Sequence, residues 1–201
     1  MGEAKRRGSK ESRMSQAIES GKKRQVPIGQ VEFMSRIQAM IDPLTTPEAV
    51  DQIVSDFCKS LSDQAPVKLE CQPEMWSRQQ NCDGNVSRYI EINGGSAVSG
   101  YIIWYTDQLY VEAERHMVWT DGSVLRDVSF VASGEKSILF LPDQFGFDER
   151  PGKVRHAVNE RDAEIIRILE AGESRRPVVR ASAEVSWNMM PSYEQVSRGV
   201  K

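Results

Sequence analysis

The sequence predicts an α+β fold, an antiparallel β-sheet flanked by helices. Three observations predict it. Apolar residues recur at three- and four-residue spacing in segments before residue 93. Runs rich in Val, Ile, Tyr and Trp then follow one another between residues 97 and 141. A helical period returns at 160–172. Strands grouped in one stretch, with helices before and after, read as α+β.

The elements follow in order. Residues 1–25 lack an apolar period and read as a basic arm, with at most a transient helix around Ser12–Glu19. Val31–Ile41 is a short amphipathic helix, with Phe33, Ile37, Met40 and Ile41 on one side and Asp42-Pro43 stopping it. Thr46 reads as the N-cap of the next helix and Pro47 as its first residue. Val50, Ile53, Val54, Phe57, Cys58 and Leu61 form its apolar stripe, which makes Cys58 a small buried hydrophobe. Residues 62–80 read as irregular, with a short strand at Val67–Glu70. A helix begins at Cys82 and ends at Asn93-Gly94-Gly95. Strands are expected at Ala97–Tyr105, Leu109–Trp119, Val124–Ser129 and Ser137–Leu141. Residues 144–158 read as loop, Glu160–Gly172 as helix, and the chain from Ser174 as a polar tail with apolar patches at Val178-Val179 and Val185–Met190. The expected organisation is a flexible arm (1–25), one domain (26–172, core 76–143) and an extension (173–201).

The net charge of −3 hides an asymmetry. Residues 1–25 carry eight Lys/Arg against three Asp/Glu, and the remainder carries eighteen against twenty-six. A basic arm suits contact with nucleic acid or an anionic surface, and the plainer reading is a solvated tail. No run approaches the roughly 18–20 apolar residues of a membrane span. The first residues carry charge without an apolar run, so they do not read as a secretory leader. Three cysteines, an odd number, are too few for a disulfide scaffold, and a cytoplasmic location is expected. No cofactor and no membrane contact are expected, and oligomeric state is unspecified.

Reactive groups are few: His116 and His156, and Cys58, Cys71 and Cys82. Asp121-Gly122 is the preferred centre of a two-residue hairpin turn. That turn sets Thr120 opposite Ser123 and His116 opposite Asp127, and a four-residue loop, 120–123 with Trp119 facing Val124, gives the same pairing. A carboxylate so placed fixes one imidazole tautomer and leaves the other nitrogen as a base. Cys82 falls at a helix start, where free N–H groups and the helix dipole stabilise a thiolate. Gln79, Gln80, Asn81 and Asn85 flank it as candidate amide donors to an oxyanion or to substrate. Glu112 and Glu114 share the His116 face and would oppose a thiolate there. His156, beside Arg155, reads as solvated. A zinc site of Cys71, Cys82 and His116 lacks the compact CxxC spacing of structural sites, so no metal is expected.

The order Cys82, Asn93-Gly94-Gly95, Gly100-Tyr101, Glu114-Arg115-His116-Met117-Val118-Trp119 and Asp127-Val128-Ser129 resembles the papain-like cysteine superfamily, particularly its transglutaminase-like branch. The resemblance spans about residues 76–130. The chain departs from that pattern with Asp83 beside the cysteine and Val128 after the aspartate. Cys82–Asp143 also resembles a group of small bacterial and phage proteins. The superfamily resemblance implies a thiol-dependent amide or acyl-transfer enzyme acting on a protein or peptide. In it Cys82 is the nucleophile, His116 the base and Asp127 its orienting carboxylate. The competing expectation is a non-catalytic interaction module, with the basic arm touching nucleic acid.

Overall fold

A computed structural model describes residues 28–176 and 181–199. The expected basic arm and the Val178-Val179 patch lie outside them. Helix α1 spans Ile28–Ile41 and α2 spans Gln52–Leu61. Strand β1 is Val67–Glu70, α3 is Cys82–Asn93, β2 is Ser96–Thr106 and β3 is Tyr110–Thr120. Strand β4 is only Leu125–Arg126, and β5 is Ser137–Pro142. A short 3-10 turn at Phe147–Glu149 precedes β6, Lys153–Ala157. Helices α4 (Glu160–Glu173), α5 (Ala183–Met189) and α6 (Tyr193–Ser197) complete the order.

The six strands form one open antiparallel sheet in the order β1-β5-β2-β3-β4, with β6 also paired to β3. Alternation along β2 and β3 sends one set of side chains to each face. Tyr101, Ile103, Tyr105, Val111 and Ala113 meet Val54, Phe57 and Cys58 of α2 on one face. Ile102, Trp104, Val118, Ile138 and Phe140 form the core of the other. At the β3–β6 end, Tyr110 and Ala157 pack with Ile37 and Met40 of α1 and Ile165 and Ile166 of α4. Val86 and Tyr89 of α3 pack on Val128, Met117 and Trp119, and Trp119 lies edge-on to Tyr89 with ring centroids 5.2 Å apart.

Three local expectations are corrected. Helix α2 is capped by Asp51, not Thr46: Asp51 Oδ1 accepts from the Val54 N–H at 2.9 Å. Its other oxygen accepts from the Tyr105 hydroxyl at 2.8 Å, while Thr46 Oγ1 is spent on the Ser137 carbonyl. Residues 144–158 contain strand β6, whose Lys153 and Arg155 pair with Glu112. The expected strand Val124–Ser129 contracts to two residues, because Asp127 leaves β3 to pair with Cys71. The polar tail forms two short helices, α5 and α6, and Met189 of its apolar patch is exposed.

The topology opens a gap that matters for the site. On its outer edge β3 pairs with β6 through residues 110–114 and with β4 only at Trp119 and Thr120. Residues 115–118, His116 among them, pair with neither strand.

Candidate active site

Helix α3 starts at Cys82 after a sharp reversal, in which Gln80 takes a left-handed backbone conformation, φ 52°. A non-glycine residue there is strained and is held by its surroundings. Asn85 is what holds them. Its Oδ1 accepts from the Arg78 N–H at 2.6 Å, and its Nδ2 donates to the Arg78 carbonyl at 2.8 Å and to Ser129 Oγ at 3.2 Å. Both amide hydrogens are therefore committed, and Asn85 is not free to bind an oxyanion. It ties the loop that delivers Cys82 to the segment that carries Asp127.

The Asp127 segment is held from the other side as well. Its carbonyl accepts from the Gln72 N–H at 2.8 Å, and Ser77 Oγ donates to the Val128 carbonyl at 2.7 Å. The Arg126 guanidinium bonds Tyr89 of α3, the Gln72 carbonyl and Glu74. These bonds exist because the hairpin turn differs from the expected one. Asp121 Oδ1 accepts from the N–H groups of Ser123 and Val124, which closes a four-residue loop and pairs Thr120 with Leu125. The register moves by two residues relative to a turn centred on Asp121-Gly122. Side-chain parity is kept, so Asp127 still reaches the His116 side, but diagonally instead of directly opposite.

His116 Nε2 and Asp127 Oδ1 stand 3.2 Å apart, with both side chains buried. Asp127 Oδ1 also accepts from the Ser129 N–H at 2.9 Å. Nε2 is thereby assigned to the carboxylate, and the Cys82 thiol is close enough to the imidazole to bear on its charge. Burial of His116 opposes its charged form. The Asp127 charge, the Cys82 charge and their hydrogen bonds outweigh burial and raise its pKa to about 10. The arrangement favours a protonated imidazole at His116.

Directly opposite His116 on β2 is Gly100. A Cβ at Gly100 would stand 2.2 Å from the Leu141 carbonyl and 2.7 Å from the Phe140 ring. The missing side chain lets that ring lie edge-on to the imidazole, centroids 6.2 Å apart, as an apolar wall. The part Phe140 plays beside Gly100 is not legible in the sequence, since strand-glycine packing depends on the β2–β5 register.

Of the candidate donors, Asn81 is the one whose amide nitrogen is buried without a partner. It is buried, it makes no side-chain bond to the helix it precedes, and its Nδ2 has no hydrogen-bond partner. Gln79 is anchored through its N–H to the Pro191 carbonyl, and Gln80 is exposed. Glu112 and Glu114 do not confront the thiol as bare charges. Glu112 pairs with Lys153 and Arg155, and Glu114 accepts from Trp104 Nε1.

Cys71 lies beside Asp127, and burial first, then the Asp127 charge, pushes its thiol up to about 12. Burial likewise raises Cys58 to about 11, which fits a packing role. His156 sits on β6, exposed and stacked on Phe57. Among the described residues, no cluster of three or more His, Cys, Asp or Glu side chains is arranged to hold a metal ion, and no helix is long and apolar enough to cross a membrane. Comparison of the chain with protein-family models, with curated proteins and with solved structures finds no match.

Proposed function

We propose that the protein is a thiol-dependent acyl-transfer enzyme of the amide-processing kind, with Cys82, His116 and Asp127 as its triad. The observation that carries this reading is convergence. A helix-start cysteine, a strand histidine and a post-strand aspartate, from three separate elements, meet with His116 buried between the other two.

In this reading Cys82 Sγ attacks a carbonyl carbon, and its proton passes to His116 Nδ1. Asp127 holds the imidazole by Nε2 and stabilises the imidazolium. The negative charge that develops on the carbonyl oxygen meets two donors. One is the Cys82 N–H, which has no acceptor within the helix because it belongs to the first turn. The other is the unpaired Asn81 Nδ2. Collapse of the tetrahedral intermediate breaks the C–N bond, and His116 returns its proton to the departing amine. A thioester on Cys82 remains. Water or an amine then attacks it, with His116 as base, and the free thiol is restored. Peptide cleavage, deamidation and transamidation all use this sequence and differ in leaving group and acceptor.

The test is competitive alkylation read by peptide mass spectrometry. With iodoacetamide at pH 6, Cys82 is expected to label at least tenfold faster than Cys58 or Cys71, whose thiols burial holds protonated. Equal labelling of the three, or unchanged reaction of a thiol-directed acyl probe with Cys82→Ala, overturns the proposal.

A further inference from the structure

We propose that the C-terminal segment is part of the catalytic apparatus, with Trp187 as the positioning residue for Asn81; this rests on the acyl-transfer reading above. The segment is tied to the loop that delivers the nucleophile. The Gln79 N–H donates to the Pro191 carbonyl at 3.1 Å, the Tyr193 N–H to the Ser77 carbonyl at 2.8 Å, and the Glu194 N–H to the Met75 carbonyl at 3.0 Å. Arg78 forms an antiparallel bridge with Ser192, and its Nη1 donates to the Met190 carbonyl at 3.2 Å. Residues 75–79, which lead into Cys82, thus have their main chain fixed by residues more than a hundred positions later.

Trp187 of α5 occupies the centre of this contact. Its ring lies 6.2 Å from that of Trp76, with the guanidiniums of Arg78 and Arg88 over it at 5.5 and 5.4 Å. The ring reaches Gly84, in the first turn of α3. The point where a Cβ of residue 84 would stand is 3.2 Å from Trp187 Cε3 and 2.4 Å from Asn81 Oδ1. Glycine therefore leaves one small space over the helix start. The Asn81 carboxamide fills it, and the indole closes it.

This packing explains an otherwise odd choice. Asn is among the preferred helix caps because its side chain accepts from the first-turn N–H groups. Asn81 makes no such bond, and its amide nitrogen is buried without a partner. A side chain without hydrogen bonds is free to turn unless packing confines it. Gly84 and Trp187 supply the confinement, so the donor is oriented by contacts that leave it unspent.

The test separates chemistry that builds an oxyanion from chemistry that does not. With p-nitrophenyl acetate, Cys82 Sγ bonds to the acetyl carbon, the thiol proton goes to His116, and the C–O bond to p-nitrophenolate breaks through a tetrahedral oxyanion. Iodoacetamide is displaced at a saturated carbon and forms none. The full-length chain is used throughout. Trp187→Ala should slow the p-nitrophenolate burst about tenfold and Asn81→Ala about a hundredfold, the scale of one lost oxyanion donor. The double variant should be no slower than Asn81→Ala, because Trp187 acts through Asn81. Trp187→Phe should recover most of the rate. Iodoacetamide labelling of Cys82 should stay within about twofold in every variant. Gly84→Ala, which favours the helix while pressing on Asn81, should reproduce the burst defect with Trp187 in place. It supplies the test if Trp187→Ala does not fold. An unchanged burst in Trp187→Ala, losses that multiply in the double variant, or alkylation falling in parallel with the burst overturns the inference alone. A wild-type chain with no burst and no selective Cys82 labelling overturns the acyl-transfer reading with it.

Discussion

Asp127→Asn isolates the charge that sustains the His116 imidazolium. The substitution keeps size and shape and removes one unit of charge 3.2 Å from Nε2. At an effective dielectric near 20, that charge at that distance is worth about 5 kcal/mol to the imidazolium. The hydrogen bond that the Asn carboxamide oxygen still accepts from the imidazolium restores about 2–3 kcal/mol of this. A net of about 2–3 kcal/mol remains, or roughly a 30- to 150-fold change in the protonation balance. The assay is the second-order rate of iodoacetamide labelling at Cys82 between pH 5 and 10. Wild type should hold a rate plateau through neutral pH, because thiolate and imidazolium form together. Asp127→Asn should label about 30- to 150-fold more slowly at pH 6. The two curves should converge near pH 10, above the range of about 8.5 in which an ordinary thiol ionises without help. Coincident curves at pH 6 would refute the reasoning, since the carboxylate would then contribute nothing to the charged pair.

Three other outcomes are expected. His116 has a folded-state pKa near 10, above its ordinary 6.5, so its contribution to stability is complete below about pH 6.5 and fades as pH rises toward 10. Thermal melts from pH 6 to 10 should show a steeper loss for wild type than for His116→Gln, and parallel curves would contradict the assignment. Gly100→Ala should lower the unfolding free energy by about 1–3 kcal/mol in urea titrations, because its Cβ meets the Leu141 main chain, which cannot yield as a side-chain tip would. A neutral result would mean that β2 and β5 separate there at no cost. Asp162 is buried, pairs with Arg36 and accepts from Asn159, and the Arg36 hydrogen bond first of all holds its carboxyl below the ordinary carboxylate range. Its stabilisation is therefore present above about pH 4 and lost as pH falls further. Asp162→Asn should cost about 1–3 kcal/mol at pH 7 and converge with wild type near pH 2 in urea titrations; a constant difference would place the effect elsewhere.

What the sequence made legible was local. The Val54-Phe57-Cys58 stripe, the helix start at Cys82, the long β2–β3 hairpin and the partnership of His116 with Asp127 all follow from periodicity, capping or turn chemistry. What it hid was non-local or competitive. Asp51 outcompetes Thr46 as a cap because Tyr105, a strand residue more than fifty positions away, fixes its second oxygen. Strand β6 looked like loop because its five residues alternate weakly and are flanked by Pro151 and Gly152. Pairing with β3 and the Glu112 ion pairs overrode that local weakness. The Asp121-Gly122 turn was misjudged for a related reason: the Asp121 carboxylate captures two following N–H groups and lengthens the loop. Asp127 still meets His116 because a two-residue shift preserves the face to which it points.

The distribution of unmet hydrogen-bonding capacity gives an argument independent of that geometry. Away from the site, buried charge is matched. Glu112 has Lys153, Arg155 and the Tyr110 hydroxyl, and Arg115 has Asp143 and the carbonyls of Gly100, Phe145, Gly146 and Phe147. Among the described residues, the buried side-chain atoms with no partner are Arg78 Nε, Asn81 Nδ2, Arg126 Nε and Asp127 Oδ2. Two of them belong to the loop and cap that deliver Cys82, one to the carboxylate on His116, and one to the residue before it. An unmet buried polar atom costs about 1–3 kcal/mol. Random imperfection would scatter such atoms over a sheet of six strands and its helices. Among the described residues they gather instead in the 78–81 loop and at Arg126 and Asp127, so this region keeps donors unspent. Folding stability alone gives no reason to keep them so. The acyl-transfer proposal supplies one, because donors already engaged elsewhere would have to be released before they could act.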